Sequence, residues 1–266
     1  MPSQHLPRLD ADGLADLAVA AFTREVFLTP KPGLPDCRTA QTPANSVFSS
    51  LVDVGVRLHG PLRAAAASGA GADIGRLAAA CRAAQDVVPH TASLNGFDVA
   101  ARALCLLAAA WAQGPAGPRD ACARALALDE RVEPSGDFRD SYRMLSGRTK
   151  RHGLTATEAA LSAVRDARTR GVAEETAQLD ALLTLMADMD DERVVRDKGP
   201  LALRMVREDA AGVLAAGGAG MPEGRRRLTE LDEQLTRYAI CPATSGALHT
   251  AVLFLDSVDS RPLAAA

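Results

Sequence analysis

The sequence lacks paired cysteines, a strong excess of charge and a long apolar run. Its five cysteines are scattered, odd in number and free of any CxxC pair, which disfavours a disulfide framework or a zinc site and favours a reducing compartment. A net charge of -3 provides no general attraction to nucleic acid or to anionic membranes. The apolar run at 104–111 is too short for a membrane span, and the N-terminal MPSQHLPRLDADG has no apolar region of a secretory signal. We therefore expect a cytoplasmic protein without nucleic-acid or membrane partners.

Signals for β-strands are nearly absent, and the apolar residues follow a helical period instead. From Leu14 to Val26 they recur at three- and four-residue spacings behind Asp10 and Asp12, either of which can cap the helix. The same period returns in five later segments, at 48–58, 74–88, 99–111, 156–164 and 179–189. The pattern predicts an all-α fold of about ten helices in a single compact domain over 1–266, with flexible ends at 1–9 and 260–266.

Local signals refine the helix boundaries. Thr155 and Glu158 have the spacing of a capping box, which predicts a helix start there. Three prolines stand where the first turn of a later helix tolerates them: Pro200, Pro222 and Pro242. The polar segments rich in glycine, proline and aspartate are expected to be loops: 29–43, 114–118, 133–153, 190–199 and 217–224. None of them is long or simple enough in composition to be a domain linker.

The stiffest predicted loop follows the first helix and reads LTPKPGLPD. Two prolines flank Lys31, and a glycine and a third proline precede Asp36. A plain connection between helices needs only a few polar residues, so we interpret this loop as holding Lys31 and Asp36 in a fixed geometry. The alternatives are an exposed lysine in a rigid turn and an aspartate that only caps the next segment.

Glu25 and Val26, together with this loop, resemble the signature E-V-x-x-T-P-K-P-G-L-V-D of the triphosphoribosyl-dephospho-coenzyme A synthases. These enzymes make the prosthetic-group precursor of citrate lyase and malonate decarboxylase. Two later segments, LDALLTLMADMDDERVV and LDEQLTRYAICPATSGALHTAVLFL, resemble the family's "LL-x-LMA-x-x-x-D-T-N-V" helix end and its closing motif. The resemblance extends over nearly the whole chain, in order and with helices between, and it predicts membership of this family.

The chain departs from the family's motifs at several polar positions. Pro43 and Asn45 stand where the family has histidine and aspartate, and Asp98 stands where it has lysine. Arg193 replaces an asparagine, and Cys241 replaces a serine. The polar residues are therefore rearranged relative to the family's pattern, and the acceptor substrate stays open at this point.

As the resemblance implies, the family's reaction cleaves the N-glycosidic bond of ATP, releases adenine and joins the triphosphoribosyl group to a ribose hydroxyl of dephospho-CoA. Displacement at an anomeric carbon needs an acid and a carboxylate, and a triphosphate needs cations and Mg2+. The catalytic candidates are Glu25, Asp36, Asp98 and Cys241. The candidates for binding substrate or phosphate are Lys31, Asn95, Arg193, Arg196 and Ser245, and the candidate for binding the Mg2+ that accompanies ATP is Asp191.

Several candidates also have a plain structural explanation. Glu25, at the end of a helix, is equally well a solvated surface carboxylate. Asp191 lies at an acidic helix end, which the helix dipole disfavours unless a metal ion or an arginine is near. Cys241 precedes a predicted helix start, where the dipole is expected to lower the pKa of the thiol, but a small apolar filler is the alternative. His249 is interpreted as structural.

Three functions stay open from the sequence. The first is a transferase of the family's type with ATP as donor, with dephospho-CoA or an altered acceptor. The second is a different enzyme on the same scaffold, acting on a nucleotide or another small molecule of a biosynthetic pathway. The third is a catalytically inactive homologue that binds a ligand. Long alanine faces on the helices also permit a homodimer.

Overall fold

The computed structural model describes residues 9–38, 47–89, 96–132 and 153–260. Within these ranges the chain forms eleven α-helices and one 3-10 turn, and no β-strand, which confirms the predicted all-α fold. The helices are α1 (Ala11–Phe27), α2 (Val47–Ala70), α3 (Ile74–Val87), α4 (Phe97–Ala112), α5 (Pro118–Arg131), α6 (Thr157–Thr169), α7 (Glu174–Asp188), α8 (Glu192–Lys198), α9 (Pro200–Ala215), α10 (Pro222–Arg237) and α11 (Ala243–Asp259).

Most helix starts follow from local side-chain chemistry. Asp10 caps α1, because its carboxylate accepts a hydrogen bond from the Gly13 N–H at 2.8 Å. Pro200 and Pro222 are the first residues of α9 and α10, where the missing N–H of proline leaves no helical hydrogen bond unmade. Pro242 instead precedes α11 as its N-cap residue.

The spacing of Thr155 and Glu158 predicted a helix start, and α6 begins at Thr157. A 3-10 turn over Gly153–Ala156 precedes α6, which begins without a side-chain cap. The Glu158 carboxylate binds the guanidinium of Arg119 on α5 instead, with 2.9 Å between Nη2 and Oε2. A tertiary ion pair therefore takes the carboxylate that the local spacing assigned to a cap.

In two places the chain is helical where the sequence pattern did not predict a helix. The second helix continues past the predicted end at Leu58 and through Pro61 to Ala70, although a proline inside a helix costs about 3 kcal/mol. The buried side chains of Leu58 and Leu62 on either side of it offset that cost through packing. Helix α8 lies within the segment 190–199 that was predicted to be a loop.

Two groups of buried apolar side chains form the core. The larger group is built on α4, which is buried along nearly its whole length against α1, α2, α3, α5 and α11. The smaller group joins α7, α9 and α10 and includes Leu28 and Ile240 from two loops. Since Val26 belongs to the larger group and Leu28 to the smaller, the loop after α1 begins where the two groups meet. None of the described helices has the length and apolar content that a bilayer crossing requires.

Two glycines allow close backbone approaches, one between this loop and the connection from α10 to α11 and one between the start of α4 and the start of α11. Gly33 has a φ of +66°, and a Cβ there would lie 2.5 Å from the carbonyl oxygen of Ile240. Gly96 has a φ of +93°, and a Cβ there would lie 2.7 Å from the carbonyl oxygen of Ala243. Only glycine satisfies both the left-handed backbone and the close approach at these positions.

Candidate active site

A buried ion pair joins the end of α1 to the loop that follows it. The Lys31 ammonium donates to Oε1 of Glu25 and to the Glu25 carbonyl oxygen, both at 2.8 Å. Lys31 is 0% exposed and Glu25 is 2% exposed. The alternative explanations, an exposed lysine and a solvated glutamate, do not hold, because the loop turns back over the last turn of α1 and removes both charges from solvent.

Glu25 keeps one carboxylate oxygen free of hydrogen bonds. Its Oε2 is buried and has no partner among the described residues. Burial raises the pKa of Glu25, and the charge of Lys31 opposes that rise. A carboxylate with a raised pKa and a free oxygen has the properties of a proton acceptor in catalysis.

Asp36 holds the loop closed. Its carboxylate accepts a hydrogen bond from the backbone N–H of Lys31 at 3.0 Å and one from the backbone N–H of Arg38 at 2.8 Å. The Arg38 guanidinium also binds Asp36, at 2.7 Å, and reaches Asp232 on α10 at 2.9 Å. These contacts support a structural task for Asp36. Arg38, a cation only two residues beyond the signature, was not among the predicted site residues.

The Glu25–Lys31 pair lines a narrow cavity between the loop, the start of α4 and the start of α11. The cavity has room for about one water molecule. Glycine and apolar side chains make up most of its remaining wall: Leu34, Pro35, Gly96, Phe97, Ala100, Ala243, Gly246 and Ala247, with Thr250. The ion pair is therefore the principal charged feature of this cavity.

Asp191 connects the starts of α8 and α11. One carboxylate oxygen accepts hydrogen bonds from the N–H groups of Arg193 and Val194 at 3.1 and 3.2 Å and so caps α8. The other accepts from the Ser245 N–H at 2.9 Å and from the Ser245 hydroxyl at 3.0 Å. Burial raises the pKa of Asp191, and the bonds from Ser245 and Val194 partly offset this rise.

The hydrogen bonds of Asp191 do not fit its predicted role as a ligand of Mg2+. A carboxylate has about four lone-pair sites, and four donors already occupy those of Asp191. No group of three or more histidine, cysteine or acidic residues that could hold a metal ion occurs within the ranges that the structure describes. A Mg2+ ion held by Asp191 therefore has no support in this arrangement.

The Cys241 thiol does not have the lowered pKa that its place before a helix predicted. Burial raises the pKa of its thiol to about 11, and the charge of Asp191 adds to the rise. Arg193 and Lys31 act in the opposite direction but do not outweigh them. The expected lowering by a helix dipole is thus wrong, and the thiol stays protonated at neutral pH.

The other candidates lie near the Glu25–Lys31 pair or near Asp191. Arg193 pairs with Asp197 within α8 at 2.6 Å, and Arg196 contacts the same carboxylate at 3.3 Å. Asp98 is half-buried in the first turn of α4, next to the cavity-lining Phe97. Asn95, Pro43 and Asn45 lie outside the described residues. Ser245, which binds Asp191, is followed directly by Gly246, which lines the cavity of the Glu25–Lys31 pair, so the two sites are neighbours at the start of α11.

Comparison with known proteins identifies the family. A sequence model of the ATP:dephospho-CoA triphosphoribosyl transferases matches residues 58–264, which is well over half of the chain. The chain belongs to this family. The motifs quoted above predicted the same membership.

The names of individual relatives agree with this family membership. A protein of Pseudomonas paraeruginosa named "Probable 2-(5''-triphosphoribosyl)-3'-dephosphocoenzyme-A synthase" is 34% identical over 94% of this chain and 92% of its own length. Proteins of the same name from Stutzerimonas stutzeri and Pseudomonas putida are each 33% identical, over 92% and 94% of this chain and 91% and 96% of their own lengths. No solved structure matches the chain.

This member of the transferase family also has a buried histidine one turn beyond Ser245 on α11. His249 is 0% exposed, and neither ring nitrogen makes a hydrogen bond to a described residue. Burial lowers its pKa to about 3, assisted by the charges of Lys31 and Arg24. The imidazole is therefore neutral at neutral pH. A polar residue within the apolar run LHTAVLFL was the sequence signal for it.

We expect His249 to make stability depend on pH. Between about pH 6.5 and pH 3 the unfolded chain binds a proton at this position that the folded chain does not, so stability falls as the pH falls. The expected slope is at most about 1.4 kcal/mol per pH unit. Urea unfolding between pH 7 and pH 4.5 should show this slope in wild type and in the control His59→Gln, and a shallower one in His249→Leu. Equal slopes in all three proteins would contradict the expectation.

Proposed function

We propose that this chain transfers the triphosphoribosyl group of ATP to dephospho-CoA and releases adenine. Family membership supports this proposal, as do the printed names of relatives that share about a third of its residues. The observation that carries it is the buried Glu25–Lys31 pair on a cavity wall, with the second oxygen of Glu25 free of hydrogen bonds.

Glu25 acts as the base in this reaction. The bond between C1′ of the ATP ribose and N9 of adenine breaks, and the bonding electrons leave with adenine. A ribose hydroxyl of dephospho-CoA forms the new bond to C1′, and its proton goes to Oε2 of Glu25. The departing adenine takes up one proton from solvent, and Glu25 then releases the proton that it received to solvent, so the transfer is balanced and the base is restored. The burial that raises the pKa of Glu25 also makes its carboxylate a stronger base than a solvated one.

Lys31 positions this base and contributes a positive charge. Two of its three ammonium protons are donated to Glu25, which leaves one for an oxygen of the triphosphate. Mg2+ enters with ATP as part of the substrate, since Asp191 has no lone pair left for it. Because the cavity has room for only about one water molecule, nucleotide binding requires its walls to move apart.

The experiment that tests this proposal follows adenine. The protein is incubated with ATP and Mg2+, with and without dephospho-CoA, and free adenine and the nucleotide product are measured by chromatography. We expect adenine and product in equal amounts, and only with dephospho-CoA present. Release of adenine in the absence of dephospho-CoA would favour an enzyme of the same scaffold that cleaves the nucleotide without transferring it. Absence of adenine in both reactions would leave an altered donor or an inactive binding protein.

Assembly and location belong to the same proposal. The reaction consumes ATP, which supports a cytoplasmic location, and the five cysteines, all within the described residues, are free thiols. A homodimer through the alanine-rich helix faces stays a prediction. Light scattering during size-exclusion chromatography tests it, because a monomer of 27.8 kDa and a dimer differ twofold in mass.

A further inference from the structure

One acidic side chain of α10 makes two contacts to the loop that carries Lys31. Oδ1 of Asp232 accepts a hydrogen bond from the backbone N–H of Gly33, at 3.1 Å. Oδ2 of the same carboxylate forms an ion pair with Nη2 of Arg38, at 2.9 Å. Asp232 therefore holds this loop, which we call the Lys31 loop (residues 28–38), at two points five residues apart.

A continuous chain of polar contacts runs from Asp232 to Lys31. The Arg38 guanidinium that binds Asp232 also binds Asp36, at 2.7 Å. The Asp36 carboxylate in turn accepts a hydrogen bond from the backbone N–H of Lys31, at 3.0 Å. The Arg38 side chain is 49% exposed, so its ion pair with Asp232 alone adds little to stability. Linked in this order, however, the contacts connect the backbone of Lys31 to α10.

Apolar packing alone does not fix the position of the Lys31 loop along α10. Leu34 packs against the smaller core group, and a Cβ on Gly33 would lie 2.9 Å from Cβ of Leu235, so the loop lies directly on the helix. Apolar contacts are non-directional, whereas hydrogen bonds have narrow limits of distance and angle. The two contacts to Asp232 therefore set the register of the loop on α10.

Asp232 borders a different opening from the cavity that the Glu25–Lys31 pair lines. Its opening lies between the Lys31 loop and the end of α10 and has a volume of about 500 Å3. The walls of the narrow cavity come from the end of α1, the loop itself and the starts of α4 and α11. Asp232 therefore acts on Glu25 and Lys31 through the loop, not by contact with a molecule in the narrow cavity.

We propose that Asp232 is a positioning residue for the transfer reaction. By fixing the Lys31 loop on α10, it keeps the Lys31 ammonium 2.8 Å from Oε1 of Glu25 and so holds the base in place. This inference rests on the proposed function, since it assigns the loop a part in that reaction. Misplacement of a reacting group by about 1 Å can lower a rate about 100-fold, so a loosened loop is expected to slow the transfer.

Two substitutions of Asp232 differ in what they remove. Asp232→Leu removes both contacts, whereas Asp232→Asn keeps a side-chain oxygen for the Gly33 N–H and loses the charge that faces Arg38. The turnover number of adenine release should fall by about 10- to 100-fold in Asp232→Leu and by less in Asp232→Asn. KM for dephospho-CoA should stay within about twofold, because only the position of the base changes. Thermal unfolding shows whether both variants are folded at the assay temperature.

The matched control is Glu233→Gln, a change of the next carboxylate on α10. Glu233 is exposed, and its substitution leaves both contacts of Asp232 in place. This variant should have the wild-type turnover number and the wild-type KM. A merely structural role of Asp232 would lower the melting temperature of its variants without a graded loss of turnover at unchanged KM.

Hydrogen exchange tests the position of the loop without any reaction. Three backbone N–H groups of the loop donate hydrogen bonds within it or to Asp232, those of Lys31, Gly33 and Leu34. Their exchange under native conditions should become at least about tenfold faster in Asp232→Leu, since protection reports how often such bonds open. Exchange in α3, which belongs to the larger core group, is the internal reference and should not change.

The two proposals fail separately. If the wild type releases adenine but Asp232→Leu keeps its turnover number within about twofold, or exchanges its loop amides at wild-type rates, the positioning role is overturned and the transfer reaction stands. If the wild type releases no adenine, the transfer reaction falls, and hydrogen exchange alone decides on Asp232. Faster exchange of the loop amides then supports its hold on the Lys31 loop, and unchanged exchange overturns it.

Discussion

Glu25→Gln is expected to lower the turnover number of adenine release by roughly 100- to 10,000-fold, the usual contribution of a positioned general base. Glutamine has nearly the same shape and can still accept a hydrogen bond from Lys31, but it leaves the buried ammonium without its anion, so the rates are measured at a temperature at which thermal unfolding shows the variant to be folded. It has no carboxylate that can take the proton of the acceptor hydroxyl. Initial rates with saturating ATP and dephospho-CoA measure the effect, and ATP binding measured by calorimetry should change far less.

The pH profile separates a base from a merely structural carboxylate. A base acts in its deprotonated form, so wild-type activity should fall as the pH falls through the raised pKa of Glu25, and the residual activity of Glu25→Gln should lack this limb. The matched control is Glu223→Gln, an exposed carboxylate of α10, which should retain wild-type rates. If Glu25→Gln were to keep rates within about twofold, another residue would be the base.

Much of the fold can be predicted from the sequence because local rules and tertiary packing agree there. The apolar stripe of α1 and its Asp10 cap both appear in the structure, and α4 extends only a few residues beyond its predicted range of 99–111. Where the two disagree, packing decides. Pro61 does not end α2, since the apolar residues on both sides of it are buried, and the Glu158 carboxylate pairs with Arg119 on another helix.

The site was harder to predict, because its chemistry depends on burial. The signature indicated that Glu25 and Lys31 belong together, but only the path of the loop shows that the two form a dry ion pair. For Cys241 the helix-dipole rule predicted a lowered pKa, whereas desolvation and a neighbouring carboxylate raise it. Asp191 illustrates the same limit, since its four donors come from residues 2, 3 and 54 positions away in the chain.

Lys31→Met is expected to lower the free energy of unfolding at pH 8 by about 3 to 5 kcal/mol, the usual effect of removing one partner of a buried ion pair. The methionine fills the space of the lysine side chain, but the Glu25 carboxylate is left buried without its cation. The carboxyl group escapes this penalty by taking up a proton, so the loss should be smaller at pH 5 than at pH 8. Urea unfolding at both pH values measures this difference.

The double variant Lys31→Met with Glu25→Gln supplies the control for that stability effect. With no charge left to bury, it should be more stable at pH 8 than Lys31→Met alone, and the dependence on pH introduced by the single change should disappear. An exposed loop lysine would behave differently, because its removal seldom changes stability by more than about 0.5 kcal/mol. A change that small at pH 8 would show that Lys31 lies in solvent. A lysine in solvent would not hold the proposed base in place, and the physical basis for assigning catalysis to Glu25 would be lost.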